Sequence, residues 1–133
     1  MTLLTALQNA TTGTRELDAR LWCEMSPTRR LASNADTEAG VVQMLSERDG
    51  HWRYATAPGL TTRPEGLRIL MDYVQERWPE AYLSVGWRPL FEAWEAGIAC
   101  DPLSDDWVEI THPTDPAIAL AIAILRAEDS EDG

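Results

Sequence analysis

The sequence predicts a single α+β domain, residues 1–133, in which helices pack on a small antiparallel sheet in an α/β/α sandwich-like arrangement. A chain of 133 residues is long enough for one core and short for two domains of ordinary size. After residue 62 the pattern passes from a helix to three strand-like runs and back to a helix, which is typical of two-layer packing. The composition, 44% apolar and 25% charged, is that of a globular protein.

Two short helices are predicted at the start of the chain. Leu3, Leu4 and Leu7 recur at helical spacing. A second helix follows, for which Thr14 is a suitable N-cap. Residues 26–40 lack periodicity and are rich in small polar residues, so they predict a loop.

A hairpin and a long helix are predicted for the middle of the chain. VVQML at 41–45 and HWRYAT at 51–56 indicate two strands around an Asp-Gly turn, although VVQML also tolerates a helix. In TTRPEGLRILMDYVQERW, Thr62 and Glu65 match a capping box, and apolar residues line one face as far as Trp78. The sequence therefore predicts an amphipathic helix that starts at Thr62 and ends at Trp78.

Three antiparallel strands and a final helix are predicted for the rest, the strands from AYLSVGW, LFEAWEAGIA and WVEIT. The run AIALAIAIL at 117–125 alternates like a strand, but its context favours a buried helix over 115–127, with Thr114 or Asp115 as N-cap. The run is far shorter than the ~20 residues that cross a bilayer. Residues 128–133 are predicted to form a disordered acidic tail.

Charge narrows the classes of function. There are 22 acidic and 11 basic residues, giving a net charge of -11. After residue 100 the sequence has nine acidic residues and one basic residue, Arg126. Such a field disfavours direct binding to nucleic acid or to an anionic membrane. All the basic residues are Arg, which excludes lysine-dependent chemistry such as Schiff-base formation. The N-terminal residues do not resemble a signal peptide, so we expect a cytoplasmic protein.

Residues suited to catalysis or metal binding are sparse. His112, between Glu109 and Asp115, is the best acid–base candidate, but without a nucleophile nearby we favour its bonding to the turn before the last helix. Cys23 and Cys100 are too isolated for a zinc site or a disulfide framework. We therefore expect no catalytic residues, no metal, no cofactor and no enzymatic activity.

Three stretches resemble a known family. They are RELDARLW within 14–24, LTTRPEGLRILMDYV and AYLSVGW within 57–87, and THPTDPAIALAIAILRA within 111–127. Together they are similar to small phage and prophage proteins of α-proteobacteria with the phage ABA sandwich domain. Asp115 and a longer segment at 72–82 depart from that pattern. The resemblance implies a helix–sheet–helix sandwich and a phage setting, and it implies no catalytic residues because the family has none assigned.

Two functions follow as hypotheses. The first is a non-enzymatic phage accessory protein that contacts a phage or host protein and is able to form a homo-oligomer. The alternative is an acidic inhibitor that imitates nucleic acid and blocks a host defence nuclease, as some anti-CRISPR proteins do, with its carboxylates in place of phosphates. The candidate binding residues are Trp87, Trp94, Asp101, Asp105, Asp106, Trp107 and Glu109.

Overall fold

The computed structural model describes residues 1–101, 103 and 107–132. In that part of the chain the helices are α1 (Leu3–Asn9), α2 (Arg15–Glu24), α3 (Asn34–Glu38), α4 (Glu65–Arg77) and α5 (Pro116–Asp132). The strands are β1 (Arg29–Leu31), β2 (Val41–Leu45), β3 (Trp52–Thr56), β4 (Tyr82–Arg88), β5 (Ala93–Ala99) and β6 (Val108–His112). They form two antiparallel sheets, β1-β2-β3 (the first sheet) and β4-β5-β6 (the second sheet). The predicted α+β class is confirmed, with two sheets in place of one.

α5 is the centre of the main core. It packs against β5 and β6, and α1 and α4 also contact it. Residues 117–124 are at most 7% exposed, which confirms the predicted buried helix. Asp115 is its N-cap, because Oδ1 accepts from the amides of Ala117 at 2.8 Å and Ile118 at 3.2 Å. No helix of the described residues is long and apolar enough to cross a membrane.

The helix continues past its predicted end. The prediction of a disordered acidic tail over 128–133 is wrong for residues 128–132, because α5 continues to Asp132, and Gly133 lies outside the described residues. On α4, Tyr73 Oη donates to Glu128 Oε1 at 3.2 Å, and Arg77 Nε lies 3.9 Å from Glu128 Oε2. These contacts hold the start of the acidic segment against α4.

The register of the second sheet divides its side chains between two faces, because residues paired across antiparallel strands point to the same side. The inner face, which packs on α5, carries Leu83, Val85, Trp87, Trp94, Ala96, Ile98, Val108, Ile110 and His112. The outer face carries Tyr82, Ser84, Gly86, Arg88, Glu95, Gly97, Glu109 and Thr111. Trp107 lies over Gly97 on the outer face, where an added Cβ would come within 2.6 Å of its ring.

The first sheet includes part of a segment predicted to be a loop. Within residues 26–40 the structure forms β1 and α3, so the loop prediction is wrong there. The guanidinium of Arg29 lies 3.4 Å from the ring centroid of Trp22, which joins β1 to α2. Ser33 Oγ accepts from the amide of Asp36 and caps α3. Elements of three and five residues are too short to show periodicity. The predicted hairpin of β2 and β3 is confirmed.

A buried carboxylate joins α2 to the loop before α4. Asp18 is 0% exposed, and its Oδ1 accepts from the amide and hydroxyl of Thr61 at 2.6 and 2.7 Å. Its Oδ2 accepts from the Thr62 hydroxyl and from Arg15 Nη1, both at 2.6 Å. The predicted capping box of Thr62 and Glu65 is therefore wrong, because α4 begins without a side-chain cap and the Thr62 hydroxyl faces Asp18 instead.

Candidate functional site

Large apolar side chains are exposed mainly on the second sheet and its connections. Of the nine large hydrophobic residues exposed in the described part of the chain, six lie there. They are Tyr82, Trp87, Leu90, Phe91, Leu103 and Trp107, and the other three are Met1, Leu31 and Tyr54. Exposed apolar residues scattered singly need no explanation, whereas a group of them marks an interaction site.

The most exposed residues of this group lie in the turn between β4 and β5. The amide of Phe91 donates to the carbonyl of Arg88 at 3.1 Å. The amide of Glu92 donates to the carbonyl of Pro89 at 3.3 Å, and Glu92 has a φ of 47°, which is uncommon for a residue other than glycine. The tight turn leaves Leu90 and Phe91 exposed by 95% and 70%.

A cleft of about 390 Å³ lies beside this turn and is lined by Arg88, Pro89, Leu90, Phe91, Glu95 and Glu109. Arg88 Nη2 donates to Glu95 Oε1 at 2.9 Å, and this hydrogen bond raises the pKa of the Arg88 guanidinium. Trp107 Nε1 donates to Glu109 Oε1 at 2.6 Å. Both carboxylates are thus oriented, and each keeps its Oε2 without a hydrogen bond to a described residue. We call Arg88, Leu90, Phe91, Glu95, Trp107 and Glu109 the hairpin surface.

The structure separates the tryptophans that were predicted to bind. Trp107 belongs to the hairpin surface and is 42% exposed. Trp87 and Trp94 lie on the inner face, with ring centroids 5.6 Å apart in an edge-to-face contact. Trp87 is 46% exposed, because its ring lies near the end of the sheet. The three tryptophans therefore do not form one patch.

The predicted acidic cluster is divided in the same way. Glu109 belongs to the hairpin surface, whereas Asp101 follows β5 and accepts a hydrogen bond from the amide of Leu103 at 2.9 Å. Asp105 and Asp106 lie outside the described residues. A second acidic group lines a separate cleft of about 380 Å³, formed by Thr2, Leu3, Leu4, Glu24, Leu125, Glu128 and Asp129.

His112 helps to start the last helix, as we predicted. The side chain is 3% exposed. Its Nδ1 accepts from the amides of Thr114 at 3.2 Å and Asp115 at 3.0 Å, so the proton of the neutral ring is on Nε2. Nε2 then donates to the carbonyl of Ala10 at 2.7 Å, which ties the end of α1 to the start of α5. Both ring nitrogens are thus engaged in holding the backbone.

The cysteines and other metal-binding residue types are scattered over the described part of the chain. Among the described residues, no group of three or more His, Cys, Asp or Glu side chains is placed to hold a metal ion. Neither Cys23 nor Cys100 forms a disulfide. Burial raises the pKa of the Cys23 thiol more than the nearby Arg29 lowers it, so this thiol is protonated at neutral pH.

Four residues of the hairpin surface were not among the binding residues predicted from the sequence. They are Arg88, Leu90, Phe91 and Glu95. The available signal was the pair Leu90-Phe91 directly after Arg88-Pro89, because two consecutive large apolar residues are unusual where a proline breaks a strand and a turn follows. The pairing of Arg88 with Glu95 depends on the register of β4 and β5, which the sequence alone does not specify.

Searches against protein-family models, curated proteins and solved structures found no match to this chain. The candidate site is therefore characterised by its own contacts, exposure and charges.

Proposed function

We propose that the protein is a non-enzymatic accessory protein of a phage or prophage and that it binds another protein through the hairpin surface. The observation that carries this proposal is the concentration of exposed apolar side chains there, above all Leu90 at 95% and Phe91 at 70%. Burying such side chains is favourable, and a turn that is already ordered loses little entropy on binding. The phage setting is supported by the resemblance of three sequence stretches, and the binding role by the exposure.

The charges of the hairpin surface indicate the chemistry of the partner. Glu95 and Glu109 both line the cleft, and each has one carboxylate oxygen that accepts no hydrogen bond from a described residue. Leu90 and Phe91 supply an apolar surface at its rim. A partner segment with an Arg or Lys next to a large apolar side chain would bind the carboxylates and cover the apolar residues at the same time. The net charge of -11 would increase the rate at which such a basic segment associates with the protein.

The test compares three tagged baits in lysate from the phage host, with quantitative mass spectrometry of the retained proteins. The baits are the wild type, Leu90→Ser with Phe91→Ser, and the control Leu31→Ser with Tyr54→Ser, which removes exposed apolar residues of the first sheet. We expect a partner that the wild type and the control retain and the hairpin variant loses by about tenfold or more. Equal retention by all three baits would contradict the proposal.

Where the protein acts is part of the same proposal. We propose that it acts in the host cytoplasm or as a component of the virion. Mass spectrometry of purified phage particles separates these alternatives, because a virion component is recovered in a fixed ratio to the capsid protein. If the protein is recovered from the host cytosol and is absent from the purified particles, it acts inside the host cell.

A second candidate function, imitation of nucleic acid, is supported by charge. Glu24, Glu128 and Asp129 line one cleft, and the chain carries a net charge of -11. An inhibitor of this kind binds a nuclease through its acids, so binding should weaken steeply with salt. Tight binding that is insensitive to salt, and is unchanged both by Glu24→Gln with Asp129→Asn and by Asp105→Asn with Asp106→Asn, would exclude it.

A further inference from the structure

β4 is an edge strand of the second sheet with one side unpaired. It has seven residues and pairs with β5 alone, without interruption from Tyr82↔Ala99 to Arg88↔Ala93. Apart from β5 and the turn that follows, no described residue hydrogen-bonds to its backbone. The amide and carbonyl groups on the other side are therefore available to a further strand.

β4 lacks the features that usually protect such an edge. Natural edge strands are short, bulged, or carry Lys or Pro in their interior. β4 has no bulge, no proline and no acidic residue, and its one charge is Arg88 at the end. The other edge strands, β1, β3 and β6, have three, five and five residues. Because β4 has no acidic residue, two copies paired along it place no carboxylate of one β4 against a carboxylate of the other, although each chain has a net charge of -11.

We propose that β4 pairs antiparallel with β4 of a second copy of the chain, centred on Val85, to give a continuous six-stranded sheet. The sequence YLSVGWR is self-complementary about Val85 in this register. Ser84 lies opposite Gly86 of the second copy, so small side chains meet on the outer face. The inference concerns the free edge of β4 and does not depend on the proposed function.

The outer pairs of this register bring the two exposed aromatic residues of β4, Tyr82 and Trp87, against residues of the second copy. Tyr82, which is 64% exposed, lies opposite Arg88 of the second copy, where the guanidinium can stack on the ring. Leu83 lies opposite Trp87 of the second copy, which covers part of the 46% of Trp87 that is exposed. Each pair occurs twice because the interface has twofold symmetry.

The dimer would place both hairpin surfaces on one side. The twofold axis is perpendicular to the combined sheet, so the outer faces of the two copies are continuous and both α5 helices lie on the opposite side. The two turns that carry Leu90 and Phe91 then point in opposite directions. A partner with two binding sites would be held bivalently.

The first test is the mass of the wild-type protein by sedimentation velocity and light scattering over a range of concentrations. The monomer has a mass of 14.9 kDa, and we expect a species of about twice that mass that dissociates on dilution. A monomer at every concentration up to the millimolar range would overturn the proposal.

The second test specifies the register through charge. Ser84→Lys with Gly86→Lys places two lysines opposite two lysines, and Ser84→Glu with Gly86→Glu does the same with carboxylates. We expect each variant alone to dimerise about tenfold or more weakly, and an equimolar mixture to form a heterodimer because opposite charges then face each other. A Cβ added at Gly86 meets no atom within 4 Å, so the monomer should tolerate the change.

Folding of each variant is checked by circular dichroism and by its thermal midpoint. If a double variant is unstable, a mixture of Ser84→Lys chains with Gly86→Glu chains serves, because it still places opposite charges against each other in this register. A variant that remains dimeric alone, or two variants that fail to form a heterodimer when mixed, would show that another register or surface mediates association. The partner experiment with Leu90 and Phe91 is read separately, so either proposal can fail while the other holds.

Discussion

The Asp18→Ala variant removes the carboxylate on which four hydrogen bonds converge, and its cost can be worked from the structure. The amide of Thr61 would be left buried without its acceptor, at about 1–3 kcal/mol. The two threonine hydroxyls can rotate, and that of Thr61 also reaches the carbonyl of Thr14 at 3.3 Å, so each loses less. Arg15 keeps its bond to the carbonyl of Ala57 at 2.5 Å and is 31% exposed to water.

We therefore expect the free energy of unfolding to fall by roughly 3–4 kcal/mol, at the lower end of the cost of breaking a buried ion pair. Since small proteins are stable by about 5–15 kcal/mol, the variant should still fold. With a denaturant slope of about 2 kcal/mol per molar urea, the unfolding midpoint would fall by about 1.5–2 M, measured by tryptophan fluorescence.

Two further variants control this experiment. Asp18→Asn keeps an oxygen for Thr61 but loses the charge that faces Arg15, so it should lie between the wild type and Asp18→Ala. Asp72→Asn changes an exposed carboxylate on α4 and should alter stability by less than about 0.5 kcal/mol. If Asp18→Ala costs less than about 1 kcal/mol, the network does not join α2 to the loop before α4 as we describe.

Three other predictions can be tested with the same equipment. His112→Ala should lower the free energy of unfolding by about 2–3 kcal/mol, because it removes a buried side chain whose ring accepts from two amides and donates to a carbonyl, whereas exposed His51→Ala should not. Gly66→Ala should destabilise by about 2 kcal/mol despite the better helix propensity of alanine, since its Cβ would lie 2.2 Å from the Leu60 carbonyl oxygen, and a result at or above wild-type stability would contradict this close approach. Burial, reinforced by Glu128, raises the pKa of Tyr73 to about 12, above its usual value near 10 in the unfolded chain. The folded state therefore keeps the phenol proton longer, and the free energy of unfolding should fall as the pH rises from about 10 through 12. The wild-type minus Tyr73→Phe difference in phenolate absorbance should then have its midpoint near pH 12 if the fold persists, and a midpoint near 10 would indicate an exposed phenol.

The last helix shows what local sequence can predict. Alanine-rich composition, the Asp115 cap and the length of the apolar run are all local, and they were sufficient to predict that the segment is helical and buried. Local sequence could not decide whether Thr114 or Asp115 is the N-cap. The Thr114 hydroxyl donates to the carbonyl of Thr11, which is more than a hundred residues away in the sequence, so it does not cap the helix. The helix extends past 127 for a similar reason, since Tyr73 and Arg77 on α4 contact Glu128.

The same limit applies to the start of α4 and to the candidate site. The capping box failed because Asp18, 44 residues earlier, binds the Thr62 hydroxyl. Trp107 and Glu109 were predicted to bind and do lie in the hairpin surface, but strand alternation places Trp87 on the opposite face of the sheet. Composition identifies such residues as candidates, and only the register of the strands decides which of them share a surface.

The two sheets have cores of very different size. Next to the first sheet the fully buried apolar cluster consists of Ala19, Val42 and Ala57, whereas the cluster around α5 has eighteen buried members. Opening free energies follow buried apolar area, so the first sheet is expected to open locally while the second sheet and α5 stay closed. In hydrogen exchange, the amides of β2 and β3 should then behave as a separate cooperative unit that exchanges faster than β5. The hairpin surface thus lies on the more stable part of the molecule. Substitutions in the first sheet are expected to change local stability there without altering the hairpin surface.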